Sequence, residues 1–234
     1  MTERTVLVTG GTGALGGSVT RRFLEEGHRV GVTWRSEADR DGLADELGEF
    51  SDRLLFVRAD VTDADAVKNA VDEVGSTFGV IGVLANLVGG WRGGERTDAH
   101  SIETWEGMLR LNLTSAFLCA RAVLPGMLAE NWGRIVLVSA RTAVRPRAGD
   151  GAYAVAKAGV IVLAQTIAEE TRGTDVTANV VVPSIIDTPA NRASMPGDPA
   201  RWVPPADLAE TIAFLASDAA GQIRGALVPV YGSA

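Results

Sequence analysis

The stretch Thr5–Gly17, which reads TVLVTGGTGALGG, decides the fold of this chain. Its first five residues form a β-branched apolar run, which is typical of a buried parallel strand. The pattern then predicts a helix over Gly13–Glu26 and a second strand over His28–Trp34. A strand, a glycine-rich turn, a helix and a strand within about 30 residues form the unit that binds dinucleotides.

The glycine-rich turn gives this prediction its physical basis. Glycines let the backbone turn tightly and approach a pyrophosphate, whose charge then meets the N–H groups at the start of the helix. The competing interpretation is a tight turn that binds no ligand. The residues expected to hold the pyrophosphate are Gly10, Thr12, Gly13, Ala14, Leu15 and Gly16.

The end of the second strand bears on which nicotinamide cofactor binds. An acidic residue there would accept a hydrogen bond from a ribose 2′-hydroxyl, but the chain reads Trp34-Arg35-Ser36 and has no acidic residue before Glu37. Arg35 and Ser36 can hold a 2′-phosphate, and the guanidinium can stack on adenine. We therefore expect NADP(H) to be preferred, with NAD(H) as the second option. The alternative is a solvated arginine at a strand end.

Strands and helices alternate along the rest of the chain. This alternation predicts an α/β fold, a doubly wound parallel sheet with helices on both faces. The predicted helices cover 41–50, 64–78, 102–131 (one or two helices), 153–171 and 207–217, and the further strands cover 53–59, 80–87, 134–140, 176–183 and 226–231. An irregular stretch over 184–205 is long enough to suggest a functional loop.

Two more strand ends supply candidates for the cofactor site, because ligands bind outside the carboxyl ends of parallel strands. Asp60 and Val61 follow the third strand. Asp60 can accept a hydrogen bond from an adenine amino group, although an aspartate there can also simply cap a turn. Asn86 lies in the fourth strand, and Val88 and Gly89 follow it.

A tryptophan lies in the glycine-rich loop after the fourth strand. Trp91 is flanked by Gly89-Gly90 and Gly93-Gly94. An aromatic ring in such a loop is poorly placed for core packing and well placed to cover a planar ligand at the strand ends.

A tyrosine and a lysine form the main candidate for chemistry. Tyr153 and Lys157 lie one helical turn apart at the start of an apolar, alanine-rich segment. A phenol with a pKa of about 10 is a poor acid at neutral pH. A nearby ammonium lowers that pKa, and the pair then supplies a proton donor near the working pH. The competing interpretation is an ordinary helix with a boundary tyrosine and a solvated lysine.

The composition narrows the class of protein. The 234 residues carry a net charge of −7, whereas a nucleic-acid surface needs a basic patch. The single cysteine, Cys119, excludes an intrachain disulfide and suggests a reducing cytoplasm. The N-terminus leaves no room for a signal peptide, and no apolar run approaches the roughly 18 residues that cross a bilayer. The histidines show no metal-site spacing. We expect no nucleic-acid, membrane or metal partner.

Taken together, these motifs resemble the short-chain dehydrogenase/reductase family over nearly the whole chain. The resemblance implies a single Rossmann domain over residues 1–234 that moves a hydride between a nicotinamide and a small-molecule substrate. The matching residues, in order and at the family's spacing, are Thr9, Gly10, Gly13, Gly16, Asp60, Asn86, Asn112, Tyr153, Lys157, Asn179, Pro183 and Thr188.

The resemblance also implies roles for three side chains. Tyr153 would donate the proton, and Lys157 would bind the nicotinamide ribose and lower the pKa of the tyrosine. Asn112 would hold a water molecule in the proton relay.

Two further expectations come from the same resemblance. Thr188, with Pro183 and the backbone near Ile186, would bind the nicotinamide carboxamide. Family members commonly pair subunits through two long helices, which correspond to residues 104–129 and 153–172 here. We therefore expect a homodimer or homotetramer.

Three positions depart from the family pattern. Ala14 replaces the middle glycine of the turn, Ser184 replaces a glycine, and Ala140 replaces the catalytic serine that usually lies thirteen residues before Tyr153. Ser139 is adjacent, but neighbouring strand residues face opposite sides of a sheet, so it would point away unless a bulge re-aims it. In ketone reduction the serine polarises the carbonyl and holds the developing alkoxide.

One branch of the family, dihydropteridine reductase, lacks this serine, and three stretches of the chain resemble it. These are the turn at 6–16, the loop GGWRGG at 89–94, and DTPANRASMP at 187–196. The branch has an acidic residue where this chain has Trp34-Arg35 and favours NADH, so its cofactor choice does not carry over. The resemblance implies a substrate lid over 188–205 and substrate contacts from Trp91, Ala140, Arg141, Asn191, Met195 and Trp202.

Three functions follow from the sequence. The leading hypothesis is an NADP(H)-dependent reduction of a conjugated C=N or C=O substrate, of the kind that dihydropteridine reductase performs on a quinonoid dihydropterin. The alternative is a carbonyl or 3-oxoacyl reductase that uses Ser139 as a fourth catalytic residue. The third is a non-catalytic NADP-binding regulatory protein on the same fold.

Overall fold

The computed structural model describes residues 2–233 and contains a sheet of seven parallel strands in the order β3-β2-β1-β4-β5-β6-β7. The order reverses between β1 and β4, as in a doubly wound sheet. This confirms the predicted fold class. The strands are β1 (Thr5–Thr9), β2 (Arg29–Trp34), β3 (Leu54–Arg58), β4 (Ile81–Asn86), β5 (Trp132–Val138), β6 (Asp175–Pro183) and β7 (Leu227–Val230).

Helices cover both faces of the sheet. They are α1 (Ala14–Glu25), α2 (Glu37–Glu46), α3 (Ala64–Phe78), α4 (Ile102–Leu109), α5 (Ser115–Ala129), α6 (Gly151–Glu170), α7 (Pro189–Ser194) and α8 (Pro205–Ala216). Short 3₁₀ turns lie at 48–50, 97–99, 141–143, 199–201 and 218–220.

Two apolar clusters, one on each face, form the core. On one face α1 and α8 pack together, and Phe23 and Ile212 are fully buried between these helices and the sheet. On the other face α3, α5 and α6 bury apolar side chains such as Val74, Val123 and Val160 against β1, β4 and β5. Burial on both faces explains why the strands read as continuous apolar runs rather than alternating ones.

One helix begins earlier than the sequence predicted. The prediction placed it over Asp41–Phe50, but α2 begins at Glu37 because Ser36 is its N-cap and accepts from the backbone N–H of Asp39 at 3.4 Å. The shift matters because it brings the first turn of α2 to the end of β2.

Other boundaries differ in ways that bear on the site. The predicted helix over 102–131 is continuous but contains a π-helical segment, Arg110–Thr114, between α4 and α5. Helix α6 begins at Gly151, two residues before the predicted start. The stretch over 184–205 is not wholly irregular, because it contains α7 and a parallel bridge between Ile186 and Val203.

The membrane prediction also needs a correction. Two helical stretches, Ile102–Ala129 and Gly151–Glu170, each contain a window of 18 residues with a mean hydropathy of 1.4, so by length and composition alone they could cross a membrane. The statement that no apolar run approaches this length was wrong. Both stretches pack against the sheet, as the core helices of a globular protein do.

Candidate active site

A cavity of about 410 Å³ opens at the carboxyl ends of β1, β2, β3 and β4, where the strand order reverses. Such a reversal is where doubly wound sheets bind their ligands. The predicted cofactor residues that line it are Gly10, Thr12, Gly13, Ala14, Leu15, Gly16, Trp34, Arg35, Ser36, Asp60, Val61, Val88 and Gly89.

The start of α1 fits a bound phosphate. Gly13 is the N-cap of α1, no side chain caps this end, and no acidic residue lies in the first turn. The N–H groups of that turn therefore face the cavity without a side-chain partner, as an anion site requires. A Cβ at Gly16 would collide with the carbonyl oxygen of Gly10, so only glycine permits this close packing.

The far end of the cavity is built around Trp34. The guanidinium groups of Arg40 and Arg58 lie 5.1 and 5.8 Å from its ring centroid, and its indole N–H is buried without a hydrogen-bond partner within the described chain. Arg35 is exposed beside it. This cationic end suits a phosphate, although Glu37 and Asp39 in the first turn of α2 oppose it in part.

Asp60 lies near that end, because the N–H of Ala59 donates to the carbonyl oxygen of Trp34 at 3.1 Å. One carboxylate oxygen accepts from the backbone N–H of Thr62 at 2.9 Å and from its hydroxyl at 2.8 Å. These two hydrogen bonds lower the pKa of Asp60, with a smaller contribution from Arg35. The second oxygen stays available to a ligand.

Several residues of the cavity were not predicted from the sequence. Two of them had a readable signal: Ser36-x-x-Asp39 is a helix-start pattern, and Asp60-x-Thr62 is a turn pattern. The residues missed are Thr33, Asp39, Ala59, Thr62, Leu87 and Leu111.

Asn86 does not present its side chain to the cavity. It is 2% exposed, and its amide oxygen accepts from the hydroxyl of Thr9 at 2.9 Å. Its amide therefore ties β4 to β1, and Asn86 as a cofactor-binding residue stays a prediction.

Tyr153 and Lys157 lie together in the first two turns of α6. The ammonium of Lys157 is buried and donates to the carbonyl oxygen of Val138 at 2.9 Å, and it lies 6.0 Å from the centre of the tyrosine ring. Burial lowers the pKa of Lys157 to about 8.

The tyrosine does not have the lowered pKa that the sequence predicted. Burial, and secondly the carboxylate of Asp150, raise the pKa of Tyr153 to about 12. The Lys157 ammonium is directed at a carbonyl rather than at the phenol, so it does not compensate. A phenol with this pKa is protonated at neutral pH and can donate its proton.

The hydroxyl of Ser139 bonds within the protein in this structure. It is 2% exposed, and its hydroxyl donates to the backbone carbonyl of Lys157 at 2.7 Å. Ala140 is partly exposed and contributes only a methyl group. This direction agrees with the strand alternation, and a catalytic role for Ser139, which would need a local register shift, stays a prediction.

Asn112 lies in the π-helical segment and holds the loop after β4. Its amide nitrogen donates to the carbonyl oxygen of Gly90 at 3.0 Å, and its amide oxygen accepts from the N–H of Gly90 at 3.1 Å. The amide nitrogen also bonds the carbonyl oxygen of Met108 at 3.1 Å. π-Helical segments are often found at functional sites, and this one turns Asn112 towards the loop that carries Trp91.

Three loops meet at Asp150, the residue before α6. One carboxylate oxygen accepts from the indole N–H of Trp91 at 2.9 Å, and the other accepts from the hydroxyl of Thr142 at 2.8 Å. The sequence argument missed both Asp150 and Thr142, because neither belongs to a recognisable motif.

The segment over 184–205 carries the remaining predicted contacts. Thr188 caps α7 by accepting from the N–H of Asn191 at 3.1 Å, and the amide of Asn191 donates to the carbonyl oxygen of Ile186 at 2.8 Å. Asn191 thus shapes the segment from within. Met195 is 37% exposed, whereas Trp202 is only 5% exposed and anchors the base of the segment.

The predicted cofactor residues that lie outside the cavity lining are Asn86, Tyr153, Lys157, Pro183, Ile186 and Thr188. Pro183 ends β6 and is buried. The guanidinium of Arg141 lies 5.5 Å from the ring centroid of Tyr231, close after Ala140 in the chain.

Comparison with known proteins gives one consistent result. A family model for short chain dehydrogenase matches residues 4–198. The chain is 35% identical over 243 residues to the 3-oxoacyl-[acyl-carrier-protein] reductase MabA of Mycobacterium tuberculosis, an alignment that covers 98% of this chain and 92% of that protein. It is 32% identical to the 2,5-dichloro-2,5-cyclohexadiene-1,4-diol dehydrogenase LinX of Sphingobium indicum, with 98% and 95% covered.

A solved structure gives the same fold. The crystal structure of gox2181 superposes with a TM-score of 0.92 at 28% identity, covering 99% of this chain and 95% of that one.

Proposed function

The chain belongs to the short-chain dehydrogenase family, and on that premise we propose that it is an NADP(H)-dependent reductase of a planar, conjugated C=N acceptor of the quinonoid dihydropterin type. One observation carries the choice of acceptor. The hydroxyls of Ser139 and Thr142 donate to other protein groups, and Ala140 has no hydroxyl. Among Ser139, Ala140, Thr142 and Tyr153, only Tyr153 has a hydroxyl whose proton is free for a substrate.

A site with one free hydroxyl favours an acceptor whose reduction does not form an alkoxide. Reduction of a ketone places negative charge on oxygen, and a second donor normally stabilises it. Hydride addition to a conjugated C=N system places the electrons on nitrogen, which takes up a proton directly. One donor, Tyr153, is sufficient for that step.

Residues of the cavity and of neighbouring elements would hold the cofactor. The N–H groups at the start of α1 would bind the pyrophosphate, Asp60 the adenine, and Arg35 with Ser36 the 2′-phosphate. Lys157 would bind the nicotinamide ribose, and Pro183, Ile186 and Thr188 would meet the carboxamide. When bound, NADPH supplies the hydride.

The proton comes from this chain. Tyr153 is protonated at neutral pH, as any phenol with a pKa of 10 or more is, and it would act as a general acid in the direction of reduction. Because the pKa of Lys157 is about 8, its ammonium can transfer a proton to a neighbouring group near the working pH. Asn112 fixes Gly90 and thereby the wall that carries Trp91.

The relatives favour a second candidate at least as strongly. MabA is named as a 3-oxoacyl reductase and LinX as a dehydrogenase of a cyclic diol, so oxygen-centred substrates are the common theme of the matches. In this candidate the chain is a carbonyl or 3-oxoacyl reductase. It would use Ser139 as a second donor, and for that the hydroxyl, which bonds the backbone carbonyl of Lys157 here, would have to turn towards the substrate.

Several coarser expectations accompany both candidates. We propose that residues 1–234 act as a single domain, that the substrate is a small molecule, and that the protein works in the cytoplasm without a membrane partner. We also propose a homodimer or homotetramer through the helices near 104–129 and 153–172. Phe117 and Val162 on these helices are 46% and 60% exposed.

Steady-state oxidation of NADPH and NADH tests the proposal. The acceptors are freshly generated quinonoid dihydropterin, a 3-oxoacyl thioester and a simple cyclic ketone. We expect NADPH-dependent turnover of the pterin and slow or no turnover of the two ketones. Turnover of the thioester alone would establish the second candidate. Binding of NADPH without turnover of any acceptor would contradict both reductase candidates and favour the non-catalytic NADP-binding protein.

A further inference from the structure

We propose that Asp150 is a positioning residue that fixes Trp91 as a rigid aromatic wall of the substrate site. The inference rests on the proposed function, because it assigns a purpose to a wall beside Tyr153. It adds a determinant of specificity that the family motifs do not contain.

The side chain of Asp150 does not cap the helix that it begins. It occupies the N-cap position of α6, where an aspartate side chain usually accepts from the first backbone N–H groups of the helix. Here the side chain makes no cap hydrogen bond. Both carboxylate oxygens point to other loops instead, one to Trp91 and one to Thr142.

The second argument is that the tryptophan is held and yet exposed. The indole N–H donates to Asp150 at 2.9 Å, while the residue keeps 58% of its surface exposed. A buried tryptophan is fixed by its packing. An exposed ring needs another constraint to present one face to a ligand, and a hydrogen bond to a carboxylate supplies it.

The third argument is that the backbone around the ring is fixed as well. Asn112 holds Gly90, the residue before Trp91, by both its N–H and its carbonyl. On the other side, the N–H of Gly94 donates to the carbonyl oxygen of Gly149 at 2.9 Å. A Cβ at Gly93 would lie 2.5 Å from the same oxygen, so the two loops meet with no space between them.

The position of this assembly connects it with the reaction. Asp150 lies three residues before Tyr153, on the first turn that presents the phenol. Thr142 lies two residues after Ala140. A flat acceptor placed against Tyr153 and Ala140 would therefore have the Trp91 ring as its neighbour, and stacking on a fixed ring costs less conformational entropy than stacking on a mobile one.

Substitutions at Asp150 separate positioning from charge. Asp150→Asn keeps an oxygen for the indole N–H and places an amide N–H against the Thr142 hydroxyl, which can accept. Asp150→Ala removes both contacts. Trp91→Phe keeps a ring but removes the N–H donor, and the double variant Asp150→Ala/Trp91→Phe tests whether the two act as one unit.

The kinetic readout is the division between KM and kcat for the acceptor that the wild type reduces. We expect Asp150→Ala and Trp91→Phe each to raise the acceptor KM about tenfold, with kcat within about threefold. The double variant should be no worse than either single variant, and Asp150→Asn should stay within about twofold of the wild-type KM. Additive losses in the double variant, or an unchanged KM in Asp150→Ala, would overturn the proposal.

A second readout does not need activity. Protein labelled with 5-fluorotryptophan gives a fluorine NMR resonance for Trp91, which its loss in Trp91→Phe identifies. We expect that resonance to move and sharpen in Asp150→Ala as the ring becomes mobile, and to stay near its wild-type position in Asp150→Asn. An unchanged resonance in Asp150→Ala would overturn the proposal whatever the kinetics. If no acceptor is reduced, the proposed function fails, while a shifted resonance still supports the positioning role.

Discussion

The buried ammonium of Lys157 donates to the backbone carbonyl of Val138, and the backbone carbonyl of Lys157 itself accepts from the hydroxyl of Ser139. Lys157 is thus bonded at both ends to the strand that leads to Ala140. This relationship occupies the Ser139 hydroxyl within the protein and leaves the Lys157 ammonium 6.0 Å from the centre of the Tyr153 ring.

Stability should report the buried lysine. The pKa of Lys157 is lowered from its ordinary value near 10.5 to about 8, so between these two values the unfolded chain binds more protons and the free energy of unfolding rises with pH. Below pH 8 both states are charged and the burial penalty is complete. The free energy of unfolding of Lys157→Met, measured relative to that of the wild type, should therefore fall by about 2 kcal/mol from pH 7 to pH 10. Urea unfolding at the two pH values measures it, and a pH-independent difference would refute it.

Cofactor preference should depend on Arg35. Arg35→Glu replaces a cation at the mouth of the cavity with an anion, so KM for NADPH should rise about tenfold or more while KM for NADH changes less. Lys68→Glu is the matched control, because it makes the same charge change on the exposed face of α3, where Lys68 pairs with Asp72. Equal effects of the two variants would show that only net charge matters.

Loss of the Ser139 hydroxyl should have little effect on the reaction. Because this hydroxyl donates to Lys157 and not to the open site, Ser139→Ala should change kcat/KM by less than about threefold, with about 1 kcal/mol lost from the free energy of unfolding. Removal of a true oxyanion donor costs about 10²–10³ in rate. A loss on that scale, with the fold intact, would mean that Ser139 turns towards the substrate.

Removal of the Tyr153 hydroxyl should abolish turnover. Tyr153→Phe keeps the ring in its packing and deletes only the proton donor, so kcat should fall by about 10²–10⁴ while the Kd for NADPH changes by less than about threefold. Fluorescence titration gives the Kd. A variant that retains full turnover would rule out Tyr153 as the acid.

The strands and helices of the fold could largely be predicted from the sequence. Continuous β-branched runs such as Thr5–Thr9 specify buried parallel strands, and the glycine turn with α1 specifies the phosphate end of the cavity. Local patterns suffice there, because each element is determined by its own residues. The start of α2 was missed although Ser36 and Asp39 form a readable cap.

The chemistry of the site was less predictable, because it depends on contacts between distant residues. Trp91 and Asp150 are 59 positions apart in the chain, and no periodicity links them. The raised pKa of Tyr153 depends on burial and on the carboxylate of Asp150, neither of which spacing reveals. The side on which Ser139 lies followed from strand alternation, but its partner did not.

The most direct test of the central claim restores the missing hydroxyl. Ala140→Ser is compared with the wild type on quinonoid dihydropterin and on a 3-oxoacyl thioester, with NADPH in both assays. If Tyr153 is the sole donor and the natural acceptor needs no other, kcat/KM for the pterin should stay within about threefold, and that for the thioester should rise by about 10²-fold. A wild type that already reduces the thioester faster than the pterin, with no gain in Ala140→Ser, would contradict the account.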